Sequence, residues 1–285
     1  MVILPKITRI LLCMLFAACC VSPAQGQSFM DKQLQSPVFK RAFEQKDGML
    51  KKQFEEKGLD YPANFVFIRS FKYDSKLEVW VKNKAIDTFT LFKSYPVCAL
   101  SGYMGRKTYE GDYQVPEGFY YINEFNPRSA YHLSLKINYP NFSDRLNTTH
   151  ANPGGGIYIH GSCVTVGCIP ITDRQMDEVY VLAVHAKEAG QNFIPVHILP
   201  IDFNNKKSVA YLQKNSKTDD TEQQFWLKLK KAFDYFNTTH KLPVVLYDGK
   251  GDYVIKEGRA VTPLKKDYSA SNKAEHNMAP KSLLN

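Results

Sequence analysis

Long basic runs, paired zinc-finger cysteines and helix-turn-helix spacing are all missing from this 285-residue chain, although its formal net charge is +9. The lysines and arginines are scattered, so no nucleic-acid partner is expected. On an exported chain such a basic surface suits an anionic envelope polymer, or is simply a solvated face. Long apolar runs are missing too. The run Ile10 to Val21, preceded by Lys6 and Arg9 and followed by "SPAQGQ", is too short to span a membrane. It reads as a secretory leader cleaved after Gly26, with Ala24 and Gly26 flanking Gln25. "FAAC" ending at Cys19 offers a second reading, a lipoprotein anchored through that cysteine. Either way the expected location is outside the cytosol, in the periplasm or cell envelope. No internal repeat is present, and "GGG" at 154–156 lacks the GK[ST] that would make it a phosphate loop.

Cysteine becomes scarce once a leader is removed. Cleavage after Gly26 discards Cys13, Cys19 and Cys20 and leaves Cys98, Cys163 and Cys168. An odd number in an oxidising compartment leaves at least one sulfur free or paired with another molecule, and a retained lone thiol suggests chemistry.

What is present reads as a mainly β chain with helical additions. "PVFKRAFEQKDGMLKKQFEEKGL" carries Phe39, Phe43, Met49, Leu50 and Phe54 near helical spacing, giving one or two amphipathic helices. "NFVFIRSFK", "KLEVWVKN" and "AIDTFTLFK" are aromatic and β-branched runs with turn breaks, a strand meander. "GFYYINE", "YHLSLKINYP", "GGIYIHG" and "FIPVHILP" supply further strands. Thr172 followed by Gln175 has capping-box spacing, and the helix it opens stops at Gly190. "KKSVAYLQKN" and "TEQQFWLKLKKAFDYFNTTH" look helical, "PVVLYDG" and "DYVIKEG" like short strands. The expected organisation is a leader over 1–26, a helical segment over 27–62, a catalytic domain over 63–201, an α/β extension over 202–263 and a structureless tail over 264–285.

The stretch "GGGIYIHGSCVTVGCIPITD" concentrates the chemistry. His160, Cys163 and Cys168 admit three readings. A zinc clip of H-x2-C-x4-C form offers three ligands where a structural site takes four. A Cys163–Cys168 disulfide would close a very small loop and stabilise little. A thiol beside its base is the third: His160 ends a strand, Cys168 precedes a helix N-terminus, and Gly167 clears space so that amides around Gly167 and Cys168 can point at a developing oxyanion. Cys163 is then a bystander or a redox partner of Cys168, and whether it pairs with Cys168 or with Cys98 stays open. His150, His185 and His197 have no such context and are read as structural.

The same stretch resembles the active site of the YkuD-type L,D-transpeptidases, with "IHG" supplying His160 and "TVGC" supplying Thr165, Gly167 and Cys168. Two departures, the short spacing between His160 and Cys168 and Val166 in place of the box's second histidine, resemble the YafK-like branch. So do "GD", "PEG.Y.I", "NP.S" and "HLSL...YPN" upstream, and the resemblance spans about residues 64–200. It implies a mixed β-sandwich core with the capped helix packed on it and helices flanking both ends. It also implies a cysteine enzyme without metal or organic cofactor, acting on peptidoglycan stem peptides through a thioester at diaminopimelate. Cys168 would be nucleophile, His160 base, the Gly161 carbonyl its orienting partner, and Gly167 part of the oxyanion site. Asn126, Arg128, His132, Tyr139 and Thr165 are the substrate-side candidates. An amine would resolve the thioester in a transpeptidase; water would do so in a hydrolase of the YafK-like kind that frees an attached envelope lipoprotein. A silent wall-binding module is the reading from a different class.

Overall fold

A computed structural model describes residues 26–215 and 220–258. The expected leader, apart from Gly26, and the expected tail from residue 264 lie outside the described residues. The chain begins with α1 (Phe29–Leu34) and α2 (Pro37–Glu56). Each has a serine cap: Ser28 accepts from the Asp31 N–H at 3.0 Å, and Ser36 precedes Pro37 at the first helical position. The apolar stripe of α2 buries Phe39, Ala42, Leu50 and Phe54.

Strands β1 (Phe65–Phe71), β2 (Lys76–Lys82) and β3 (Thr90–Pro96) form the expected meander. β4 (Gly118–Ser129), β5 (His132–Ile137), α3 (Phe142–Leu146), β6 (Tyr158–His160) and the two-residue β7 (Ile169–Pro170) follow. Then come α4 (Asp173–Glu188) and β8 (Ile194–Leu199). The expected mainly β core with added helices is what forms. Its eight strands belong to one curled mixed sheet in the order β3-β2-β1-β8-β4-β5-β6-β7. Pairing is antiparallel except for β1 with β8 and β6 with β7. Helix α4 starts as its capping box implies, with the Gln175 side chain accepting from the Thr172 N–H at 2.9 Å. Gly190, at φ +101°, ends it.

The C-terminal segment is built into this core. α5 (Lys206–Asn215) and α6 (Asp220–Thr239) precede a two-stranded ribbon of β9 (Val244–Tyr247) and β10 (Tyr253–Lys256). β1 shows why: Val66 and Ile68 face the core shared with α2 and α4, whereas Phe67 and Phe71 face Phe233 and Phe236 of α6. Both faces are covered, so the strand is apolar almost throughout. Arg69, on the α6 side, pairs with Glu78 at 2.8 Å, donates to Asn237 at 2.9 Å and lies over the Phe233 and Phe236 rings. A second buried ion pair, Lys72 with Glu117 at 2.9 Å, is completed by the Trp226 indole, which donates to Glu117 at 2.8 Å.

His197 sits between the Phe67 and Phe119 rings, 4.7 Å from each, and burial lowers its pKa from 6.5 to about 3. It is folded neutral and unfolded protonatable, so acid favours the unfolded chain. Between pH 6.5 and about 3 the wild type should lose stability relative to His197→Phe by about 1.4 kcal/mol per pH unit. Urea unfolding of both proteins across that range reads the difference; a constant gap would show that His197 keeps an ordinary pKa.

Candidate active site

Strand register assembles the site. In β4, β5 and β6 the residues Asn126, Ser134 and His160 lie opposite one another, and Phe125, Leu135 and Ile159 form the next row on the opposite face, toward the core. Two residues along, Glu124, Lys136 and Tyr158 form a second row on the same face as the first. Ile159 pairs with Ile169 in β7, so continuing that register by one residue sets Cys168 beside Tyr158. The face carrying these rows floors a groove of about 460 Å³ whose walls include Asn126, Ser134, Tyr158, His160, Thr165 and Cys168.

His160 is buried at the end of β6, and its Nδ1–H donates to the Gly161 carbonyl. That contact fixes the tautomer and leaves Nε2 with a lone pair. Gly161 has no room for a side chain: a Cβ there would lie 2.5 Å from Asp173 Oδ1 and 2.9 Å from the His132 Cβ. The same Asp173 oxygen, in the first turn of α4, accepts from the Ser162 N–H at 2.7 Å and pins the loop leaving His160. Tyr131 covers the imidazole, with ring centroids 4.9 Å apart, and lines the groove with its exposed side.

Cys168 is the one free cysteine among the described residues. Cys163 is bonded to Cys98, 65 residues away, which settles the open pairing in favour of Cys98 and corrects the readings of Cys163 as a bystander and as a partner of Cys168. The bridge ties the loop carrying Val164, Thr165 and Val166, all groove-lining, to the segment leaving β3. Within that loop the Thr165 hydroxyl donates to the Cys168 carbonyl at 2.8 Å and accepts from the Gly167 N–H at 3.0 Å. The Gly167 amide is thereby spent, and the expected pair of oxyanion donors reduces to the Cys168 N–H. Gly167 itself, at φ +136°, is required by close packing, since a Cβ would lie 3.0 Å from the Gln114 carbonyl.

Burial dominates the electrostatics. It pushes the Cys168 thiol up from the ordinary thiol range, against the opposing pull of the Tyr158 N–H and the Lys107 ammonium. It pushes the His160 imidazole down, partly offset by the bond to Gly161. The resting pair is therefore thiol and neutral imidazole. Between Cys168 and the Thr172 cap stand β7 and Ile171, and the groups that favour the thiolate are Tyr158 and Lys107.

The substrate-side candidates divide. Asn126 and Thr165 line the groove, and Arg128 is exposed between the groove-lining Asn126 and Ser129 without lining it. His132 was expected at the donor cleft and is elsewhere: its φ of 70° breaks the strand alternation, and its Nε2 meets Asp177 of α4 at 2.6 Å. Tyr139 is buried, its hydroxyl donating to the Pro153 carbonyl at 2.7 Å, and it braces the loop before β6. Tyr131, Ser134 and Tyr158 were not singled out from sequence. Strand alternation counted back from His160 would have found Tyr158, whereas Ser134 needs the β5–β6 register. Nothing local marks Tyr131. His185, bound to Asp47 at 2.7 Å, and the buried His197 have structural surroundings.

The bridge closes a long loop, which in the chain-entropy account stabilises by roughly 4 kcal/mol. Cys98→Ser should lower stability by about 2–5 kcal/mol. Thiol titration of the unfolded, oxidised chain from Gln27 onward should find a single thiol, absent in Cys168→Ala; a count of three would show that the bridge does not form.

The YkuD family, described as the L,D-transpeptidase catalytic domain, matches residues 73–198 of this chain. YafK of Escherichia coli (strain K12), which carries the name of an L,D-transpeptidase, is 34% identical over 194 residues, covering 67% of this chain and 74% of YafK. Among solved structures, the K307A mutant of the helical cell shape determining protein Pgp2 from Campylobacter jejuni is similar at 21% identity. That match covers 66% of this chain and 62% of Pgp2, with a TM-score of 0.38. Bd1075 of Bdellovibrio bacteriovorus is similar at 20% identity over 61% of this chain and 60% of its own, with a TM-score of 0.35. The chain thus spans less than two thirds of either of these two solved chains. The family match and the resemblance to YafK together carry the assignment: the chain belongs to the YkuD-type L,D-transpeptidase family.

Proposed function

We propose that this protein is an exported cysteine acyltransferase acting on peptidoglycan stem peptides, with Cys168 as nucleophile and His160 as base. The observation that carries this reading is the free Cys168 in one groove with a buried imidazole whose tautomer is fixed by Gly161. In the first half-reaction His160 Nε2 takes the thiol proton as sulfur attacks the carbonyl of diaminopimelate. The oxyanion forms near the Cys168 N–H. Its collapse breaks the carbon–nitrogen bond, the amine leaves with the proton from His160, and a thioester remains. In the second half-reaction an amine from another stem or from a lipoprotein lysine attacks, and the thiol is regenerated. Neutral partners suit this order, because the proton moves only as the bond forms.

Water as the second acceptor is the other reading, and one observation favours it. Val166, at the position of the box's second histidine, is 70% exposed in the groove wall, so no basic side chain stands there to receive an acceptor amine. The protein would then be an amidase freeing material joined to diaminopimelate. A silent wall-binding module has no use for a free thiol in one groove with an oriented base.

Intact-mass measurement after incubation with a carbapenem should show an adduct in the wild type and in Cys163→Ala, and none in Cys168→Ala. An unmodified, folded wild type would sink the enzyme reading. Muropeptides from cells lacking the protein separate the acceptors: loss of 3-3 cross-links marks the transpeptidase, accumulation of attached protein marks the amidase. The base must be neutral to act, and its pKa lies below 6.5. Acylation should therefore hold steady down past pH 6.5 and fall only at lower pH, as the imidazole protonates; an unchanged rate throughout the acid range would remove His160 from the role.

A further inference from the structure

The second row of the sheet face does not end at the groove. From Cys168 it runs through Tyr158 to Lys136 and then Glu124, each on the next strand outward. Neighbouring strands lie about 4.8 Å apart, so the Lys136 backbone is about 10 Å from that of Cys168 across the ring of Tyr158. Lys136 Nζ lies 5.9 Å from the centre of that ring and 3.4 Å from Glu124 Oε2. Both charged side chains are partly exposed, at 31% and 47%. A surface pair of this kind contributes roughly 0–1 kcal/mol, so stability gives little reason for it.

Its position does give one. β4 carries a register shift between Ile122 and Glu124, where the extra residue Asn123 resets the alternation. Without it Glu124 would face the core side with Ile122. With it, Glu124 and Asn126 both face outward while Phe125 still packs on Tyr180 of α4. A bulge has therefore been spent on placing a carboxylate opposite Lys136, at the outer end of the row that starts at the thiol.

Resting on the acyl-donor reading above, we infer that Lys136 and Glu124 form the subsite for the free end of the diaminopimelate side chain. That end is a zwitterion, one carboxylate and one ammonium on a single carbon, separated by three methylenes from the centre whose carbonyl is attacked. With that carbonyl at Cys168, the methylenes cross the Tyr158 ring. The carboxylate then meets the Lys136 ammonium and the ammonium meets the Glu124 carboxylate, so the ion pair opens into a two-point grip. Lysine, lacking the carboxylate, satisfies only Glu124 and leaves Lys136 without its new partner. The pair therefore selects between stem types by their third residue.

The test uses the purified mature protein, Lys136→Met, Glu124→Gln, and disaccharide stem peptides joined at the attacked carbonyl to D-alanine or to a lysine side-chain amine. Each donor is made with diaminopimelate, with its free carboxyl amidated, and with lysine. Thioester formation is followed by intact mass as KM and maximal rate, relative to iodoacetamide alkylation of Cys168 in the same variant. The wild type should favour free diaminopimelate at least tenfold, through KM. Lys136→Met should abolish preference over the amidated and lysine donors, and Glu124→Gln should weaken all three. A wild type that acylates without discriminating, or variants that keep its preference, would overturn the inference and leave the donor reading intact. A wild type that forms no thioester with any donor would remove the donor reading and this inference with it.

Discussion

The parallel pairing of β6 with the two residues of β7 decides which face of the sheet carries Cys168. A slip of one residue there would turn the thiol away from His160, because strand side chains alternate. Three supports hold that register. Asp173 at the start of α4 takes the Ser162 N–H, Thr165 spans the turn to the Cys168 carbonyl, and the Cys98–Cys163 bridge anchors the loop between them. The Cys98 N–H also donates to the Pro170 carbonyl at 3.1 Å, so the bridge and β7 reinforce one another.

The C-terminal helices reach the same place from the far side. Glu222 and Trp226 of α6 hold the loop between β3 and β4, through the Arg106 N–H and through Glu117. Arg106 itself lies over the Phe225 ring at 3.6 Å. That loop supplies Lys107, whose charge favours the Cys168 thiolate, and Gln114, whose carbonyl packs on Gly167. A segment distant in sequence thus sets the surroundings of the thiol without lining the groove.

Local chemistry was legible in the sequence where spacing and partner lie close together. The Thr172 capping box, the strand ending at His160, the Gly161 carbonyl beside its imidazole and the Cys168 loop are all short-range features. Strand existence was legible from β-branched and aromatic runs, but order was not, since β1 pairs with β8 across 120-odd residues of chain. What failed depended on distant partners. The sequence left Cys163 open to either Cys98 or Cys168, His132 turned toward Asp177 of a helix not yet placed, and the Tyr139 hydroxyl was claimed by Pro153. Ser134 became visible only through its register with His160, and Tyr131 only through the stacking it makes. The bulge at Asn123 carries no local signal, and without it Glu124 would have been assigned to the wrong face.

The account rests on one free thiol, donating to the Gly156 carbonyl at 3.7 Å and held protonated in one groove with a neutral imidazole until a donor arrives. With Cys98 and Cys163 bridged, the ultraviolet difference between wild type and Cys168→Ala isolates the thiolate of that single sulfur as pH is raised. The account predicts that the thiolate appears only above the ordinary thiol pKa of 9.0. A thiolate already formed at neutral pH opposite a protonated His160, and removed only when acid protonates the sulfur, would contradict it.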